Sequence, residues 1–137
     1  MKITILYLAL FALINSFSGQ LPTEKNSNLK LIDLSVLIGH WKIDLSPDDN
    51  NDNNFAKMII SSIDENSIEG IFYRDGVKIR EGRITISRGI IHVALISGDK
   101  SGTYNTSFYY RDNVLYGTTH SLKKDFLAVW EGIKITK

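Results

Sequence analysis

From Leu37 to Ile135 the chain alternates apolar and polar residues in eight short stretches, broken roughly every ten residues by turn-forming residues. A period of two gives each stretch one apolar face, the pattern of half-buried antiparallel strands. No long amphipathic helix interrupts the series. The pattern predicts an all-β fold: an eight-stranded antiparallel up-and-down barrel, whose closure removes exposed strand edges. A barrel of that size is just wide enough to be filled by side chains or to hold one small molecule.

The first strand, about 38–45, places Gly39, Trp41, Ile43 and Leu45 on the inward face and His40, Lys42 and Asp44 outward. Ahead of it, Leu31, Leu34 and Leu37 recur at intervals of three beside Ile32 and Val36, which predicts a short helical lead closing one barrel end. Pro47 and a dense Asp/Asn run make 46–54 a long loop. In the second strand, 55–63, Phe55, Ile59 and Ile63 compete with Met58 and Ile60 for the inward face. Asp75-Gly76 predicts a tight hairpin between the third strand, 67–74, and the fourth, 77–87. The fourth changes parity between Val77/Ile79 and Ile84/Ile86, so a bulge is expected at Gly82. The fifth, 90–97, is apolar on both faces; the sixth alternates Tyr104, Thr106, Phe108 and Tyr110; the seventh and eighth cover 114–121 and 126–135.

At 137 residues the chain suits one domain, and 43% hydrophobic with 23% charged residues places it among ordinary globular proteins. The start departs from that pattern. Lys2, the apolar run Ile3 to Ile14 and the small residues of Ser16-Phe17-Ser18 predict a cleavable export signal over 1–18, followed by a flexible leader over 19–29 and the barrel domain over 30–137. A run of about a dozen apolar residues is short for the ~20 of a membrane span, so no stable span is expected once the signal is removed. No cysteine is present, so the domain must be stabilised by burial and not by disulfides. This favours a secreted or periplasmic protein of bacterial type. Removing Lys2 with the signal takes the formal charge from +1 to 0, which offers nucleic acid no basic face. The basic pair Lys123-Lys124, followed by Asp125, reads as a solvated loop.

Gly39-His40-Trp41 is a Gly-x-Trp motif opening the first strand after a helical lead, and on it the chain resembles the lipocalin-like, or calycin, barrels. The resemblance extends loosely over the mature chain through strand number and order. It implies that Trp41 packs across the closed barrel end as a structural plug with Gly39 beside it, and that a basic side chain near the last strand, here Lys134, lies over its ring. Avidin-type barrels share the opening, but two polar biotin contacts expected there fall on Ile43 and on Phe72, which follows Gly70-Ile71. Each unmade buried hydrogen bond costs about 1–3 kcal/mol, which argues against biotin.

Candidate chemistry is sparse. Asp48, Asn50 and Asp52 imitate the start of a calcium loop, but Asn53 replaces its glycine and Ile59 its closing acid. His40, His92 and His120 lie on separate strands without diagnostic ligand spacing, so no metal and no cofactor is expected. No serine has a nucleophile-elbow context, and Glu69, Glu81 and Glu131 fit surface cross-strand pairs as well as catalysis. No catalytic residue is assigned. The glycosylation-type triplet Asn105-Thr106-Ser107 lies mid-strand and is discounted.

The richer signal is aromatic. Trp41, Ile43, Phe72, Tyr104, Thr106, Phe108, Tyr110, Thr119 and Trp130 all fall at positions that can project inward, giving an apolar lining with a few hydroxyls. The leading expectation is an exported barrel that binds a small, largely apolar molecule inside. The alternative is a protein-interaction or inhibitor module acting through mouth loops such as 46–54 and 98–102. A third is a small enzyme at the mouth, which needs Glu69, Glu81, Glu131, His92 or His120 to converge.

Overall fold

A computed structural model describes residues 31–136. The expected signal segment 1–18, the leader 19–29 and the two ends of the expected domain, 30 and 137, lie outside the described residues. Eight strands form: β1 Gly39–Asp44, β2 Phe55–Asp64, β3 Ser67–Tyr73, β4 Ile79–Ser87, β5 Ile90–Asp99, β6 Gly102–Arg111, β7 Val114–Ser121 and β8 Phe126–Lys134. The only helical elements among the described residues are two 3-10 turns, Leu34–Leu37 and Leu122–Lys124.

The sheet order is β3-β2-β1-β8-β7-β6-β5-β4, antiparallel throughout. The first and last strands pair, from Trp41↔Lys134 to Asp44↔Glu131. That pairing bends the meander into a nearly closed up-and-down barrel. Two of its turns have both central residues at positive φ, Arg88-Gly89 (52°, 78°) and Asp112-Asn113 (51°, 65°). This is the type I′ geometry whose twist matches the flanking strands.

The expected tight turn at Asp75-Gly76 forms, with Phe72 N donating to Val77 O, but β3 and β4 do not pair into a ladder beyond it, so it sits at the seam of the barrel. Val77 N donates to Arg74 O in a turn with Gly76 at φ 82°, and only one isolated bridge, Ile71↔Lys78, links the two strands. Further along, Ile84 N donates to Asn66 O at 2.9 Å. In β4 the register against β5 slips between Ile79 and Glu81. That slip, at Arg80, absorbs the parity change assigned to Gly82. Gly82 itself is buried in regular pairing, and a Cβ there would collide with Ile68 Cγ2. The glycine serves a close approach between β3 and β4. In β2 the competition resolves in favour of Ala56, Met58 and Ile60, which are buried while Phe55 is exposed.

One end of the barrel is sealed. Asp33 caps the first 3-10 turn by accepting from Ser35 N at 2.9 Å. Leu34 and Leu37, three apart, lie on one side of such a helix. Leu37 is fully buried, and its carbonyl accepts the Trp41 indole N–H at 2.9 Å. Satisfying that donor lets the whole ring be buried. Midway along the barrel Trp130 crosses the interior against β7, where its neighbour in register is Gly117. A Cβ on Gly117 would lie 2.7 Å from Phe108 Cβ and closer still to the Trp130 ring. Gly117→Ala is therefore expected to destabilise the fold by about 1–3 kcal/mol through overpacking, measured as a lower urea midpoint at unchanged slope. An unchanged midpoint would show that Trp130 does not occupy this notch.

Candidate functional site

All nine residues expected to line the interior belong to the inward-facing rows, and they fall into three levels. At the sealed end, Trp41 meets Tyr110 edge-on with ring centroids 6.3 Å apart. Tyr110 is only half-buried, and its hydroxyl donates to Asn113 Oδ1 at 2.8 Å. Lys134 Nζ lies 5.4 Å from the Trp41 ring centroid and donates to Val36 O at 2.8 Å, tying β8 to the helical lead. Gly39, the first residue of β1, leaves room for that side chain, since a Cβ there would lie 2.8 Å from Lys134 Cε. Ile43 fills the space over Gly132.

In the middle level Phe72, Phe108 and Trp130 pack together, Trp130 lying 5.9 Å from Phe72 and 5.8 Å from Phe108. The polar groups here are satisfied internally. Trp130 Nε1 donates to Thr119 Oγ1 at 2.9 Å, and Thr119 shares a 3.0 Å hydrogen bond with Thr106. These side chains are almost wholly inaccessible, from 0% for Phe72 and Thr119 to 4% for Phe108 and Thr106. In the lower two levels the interior side chains are shut off from solvent and in mutual contact.

The mouth level is different. Tyr104 sits between Ser97 on β5 and Ser121 near the end of β7, in one inward row. Ser97, Tyr104 and Ser121 are each 0% exposed. Above them Tyr73 stacks on Tyr104 with centroids 4.5 Å apart and planes within 16°, and Phe126 meets Tyr73 edge-on at 6.0 Å. Successive strand residues point to opposite faces, yet Phe72 and Tyr73 both pack on the interior side. The backbone permits this by breaking from β geometry at Tyr73, whose φ is 105°. A non-glycine residue held there costs about 1–3 kcal/mol, and such strain concentrates at ligand clamps and switches.

Lys123 and Lys124 are both exposed, as expected of a solvated loop, and Lys124 Nζ also donates to the Tyr104 hydroxyl at 2.6 Å. The Leu122–Lys124 turn ends at Asp125, φ 44°, which brings the chain back into β8. Across the mouth, Arg74 Nη2 donates to Asp99 Oδ2 at 3.3 Å and to Ser101 Oγ at 3.1 Å, latching the β3–β4 turn onto the β5–β6 turn. Asp99 also accepts from Ser101 N at 2.7 Å and from its hydroxyl. Those two bonds, with a smaller contribution from Arg74, hold the Asp99 carboxyl at about 2.

Outside the barrel, β4 to β8 present a groove of about 720 Å³ bounded by Pro47 and Asp48 of the β1–β2 loop. On its floor Tyr109 and Tyr116 stack at 5.3 Å, with the Arg111 guanidinium 5.5 Å from the Tyr116 ring. His92 faces outward 6.2 Å from Tyr109; His40 and His120 are exposed. Glu69, Glu81 and Glu131 are exposed, and Glu81 pairs with Arg83 at 3.1 Å. Asp48, Asn50 and Asp52 stay in the exposed loop. Among the described residues no three His, Asp or Glu side chains meet in a way that could hold a metal.

The interior rows follow from alternation. Ser97 and Ser121 were readable too, since each extends an inward row, Ile91-Val93-Leu95 and Leu115-Gly117-Thr119. Tyr73 and Lys124 were not, because one depends on a broken strand conformation and the other on a turn folding back.

No protein-family model matches the chain, and no curated protein matches it. Among solved structures, a crystal structure of a variant of the fluorescent protein UnaG is similar over 77% of this chain and all of the other, at 14% identity and a TM-score of 0.39.

The mouth latch sets an acid-side prediction. Asp99 sits below its ordinary 3.8, so its contribution is complete above that value and is lost as pH falls through about 2. A carboxyl titration followed by NMR should give Asp99 a midpoint near 2. Ser101→Ala, which keeps the backbone N–H bond, should move it part of the way back toward 3.8 and Arg74→Gln less; the reverse ranking would assign the shift to the ion pair.

Proposed function

We propose that the protein binds a small, largely apolar molecule in its barrel, through the mouth level and not the packed lower interior. One observation carries this reading: at the mouth Tyr73 stacks over Tyr104 from a backbone at φ 105°. A backbone shift that takes Tyr73 out of that conformation carries its ring off the stack and uncovers Tyr104 and Phe126. The open state is the minor one, and a ligand that binds only to it shifts the population by its differential affinity. The partner is thus a small molecule with an apolar body, flat enough to replace a tyrosine ring.

Membership of the lipocalin-like barrels is part of the proposal, supported by Gly39-His40-Trp41 at the opening of β1 and by Lys134 lying over the Trp41 ring. So is export to a secreted or periplasmic location, supported by Lys2, the apolar run after it and Ser16-Phe17-Ser18. Protein recovered from outside the cytoplasm should begin at Gly19; a mature chain that still begins at Met1 would overturn the export reading.

A second reading, contact with a protein partner, is favoured by the outer face. There β8 exposes Leu127, Val129 and Ile133 at 70%, 65% and 64% on one side of the strand, with Glu131 between the last two. It places the contact on a strand face and not on the mouth loops.

Thermal unfolding with a panel of small aromatic and aliphatic molecules tests the leading reading. At least one should raise the midpoint, as binding to the folded state must, and Tyr73→Ala should bind it about tenfold more tightly because the plug is gone. If no molecule raises the midpoint in either form at concentrations far above plausible dissociation constants, the mouth is not a ligand site.

A further inference from the structure

On the outside of the barrel β8 turns Val129, Glu131 and Ile133 to solvent, each beside its β7 partner in register, Thr118, Tyr116 and Val114. The central pair is the unusual one. Tyr116 is also paired with Tyr109 of β6, and the two rings stack at 5.3 Å with planes 20° apart. That stack covers one face of Tyr116 and leaves the other turned along the row toward Glu131. The Arg111 guanidinium lies 5.8 and 5.5 Å from the two ring centroids. Being nearly equidistant, it sits against the ring edges and leaves the outer face of Tyr116 clear. On the other side of Glu131 its partner in β1 is Asp44, and like charges directly opposite on a sheet are destabilising. Neither carboxylate, nor Asp48 at the border of the groove, is in any ion pair among the described residues. The nearby bases are engaged elsewhere: Lys42 holds its Nζ 3.7 Å from the Phe55 ring centroid, Arg111 pairs with Asp112, and Arg83 pairs with Glu81.

We propose that this face docks an extended segment of a partner protein that carries a basic side chain between two apolar ones. The inference rests on the protein-partner reading above and names the partner's chemistry. Same-face residues of a strand repeat about every 6.6 Å, in β8 and in any extended segment lying along it. A segment with apolar, basic and apolar residues at alternate positions therefore meets Val129, Glu131 and Ile133 in order. Its apolar side chains take Val129 and Ile133 out of water. Its cation reaches the clear face of Tyr116 and the two carboxylates, Glu131 and Asp44, and so neutralises a pair that repels itself in the unbound chain. The charge pattern selects the partner. An acidic segment would add a third like charge, and a wholly apolar one would cover Glu131 without pairing it. Two copies of this chain meeting through the same Glu131–Asp44 centre would set acid against acid, because a two-fold contact brings identical patches together.

Three synthetic peptides serve as probes: acetyl-Val-Thr-Arg-Thr-Val-amide and the same sequence with citrulline or glutamate in place of arginine. Citrulline keeps the shape of arginine without its charge. Each is titrated into the isotope-labelled full chain and followed by NMR at the amides of Tyr116, Val129 and Glu131. At low salt the arginine peptide should bind about tenfold more tightly than the citrulline peptide, through exposed ion pairing and one cation–π contact, and added salt should shrink that margin. The glutamate peptide should bind most weakly. Glu131→Gln combined with Asp44→Asn should erase the arginine preference while the amides of β4 to β6 keep their positions, which reports an intact barrel. Val129→Asn should weaken all three peptides. Equal binding of the arginine and citrulline peptides would overturn the basic segment and leave the partner reading standing. Failure of all three to shift those amides would remove the docking face and the partner reading together. A dimer seen in sedimentation and abolished by Val129→Asn would give the face to a second copy and overturn the proposal.

Discussion

When β1 and β8 pair, from Trp41↔Lys134 to Asp44↔Glu131, the two ends of the strand series are joined and every inward row converges on one axis. The other features follow from that pairing. It carries Lys134 over the Trp41 ring and up to the Val36 carbonyl, so the helical lead, the first strand and the last become one sealed end. It also sets where the sheet must stay open. With β1 and β8 joined, the remaining edges are β3 and β4, consecutive in the chain but linked by a single bridge. The barrel is therefore firm at one side and one end, and weakly joined at the opposite seam and mouth.

That asymmetry connects packing to function. In the lower two levels, aromatic rings fit into notches left by glycines, and the Trp130, Thr106 and Thr119 polar groups have partners. The mouth level breaks those rules twice. A tyrosine occupies a backbone conformation that disfavours it, and two buried serine hydroxyls lack partners. Violations of local consistency that cluster in one place, on a frame that is otherwise consistent, mark where a protein has given up stability for something else.

Much of this architecture was legible from residues alone. Alternation gave the strands and the inward identity of Trp41, Phe108 and Trp130, because apolar spacing at period two leaves few options. One position misled and another was half informative. Asp75-Gly76 forms the tight turn its composition predicts, yet β3 and β4 do not form a ladder beyond it. The register slip of β4 against β5 falls at Arg80. Gly82 was assigned that slip because glycine tolerates distortion; its use is space for Ile68. The mouth was half legible. Ser97 and Ser121 extend inward rows that are otherwise mainly apolar, a visible anomaly. The stacked Tyr73 and the Lys124–Tyr104 contact depend on backbone dihedrals at single residues, which no periodicity encodes.

Native-state hydrogen exchange tests the central claim most directly, since it resolves local opening from global unfolding residue by residue. The amides of the β1–β8 ladder, such as Ile43 and Gly132, should exchange only with global unfolding. Those of Phe72, Val77 and Gly98, which hold the rim around Tyr73, should exchange through a smaller opening that leaves the ladder protected. If rim and ladder amides share one opening free energy, the barrel opens only by unfolding, and a mouth that admits a guest is contradicted.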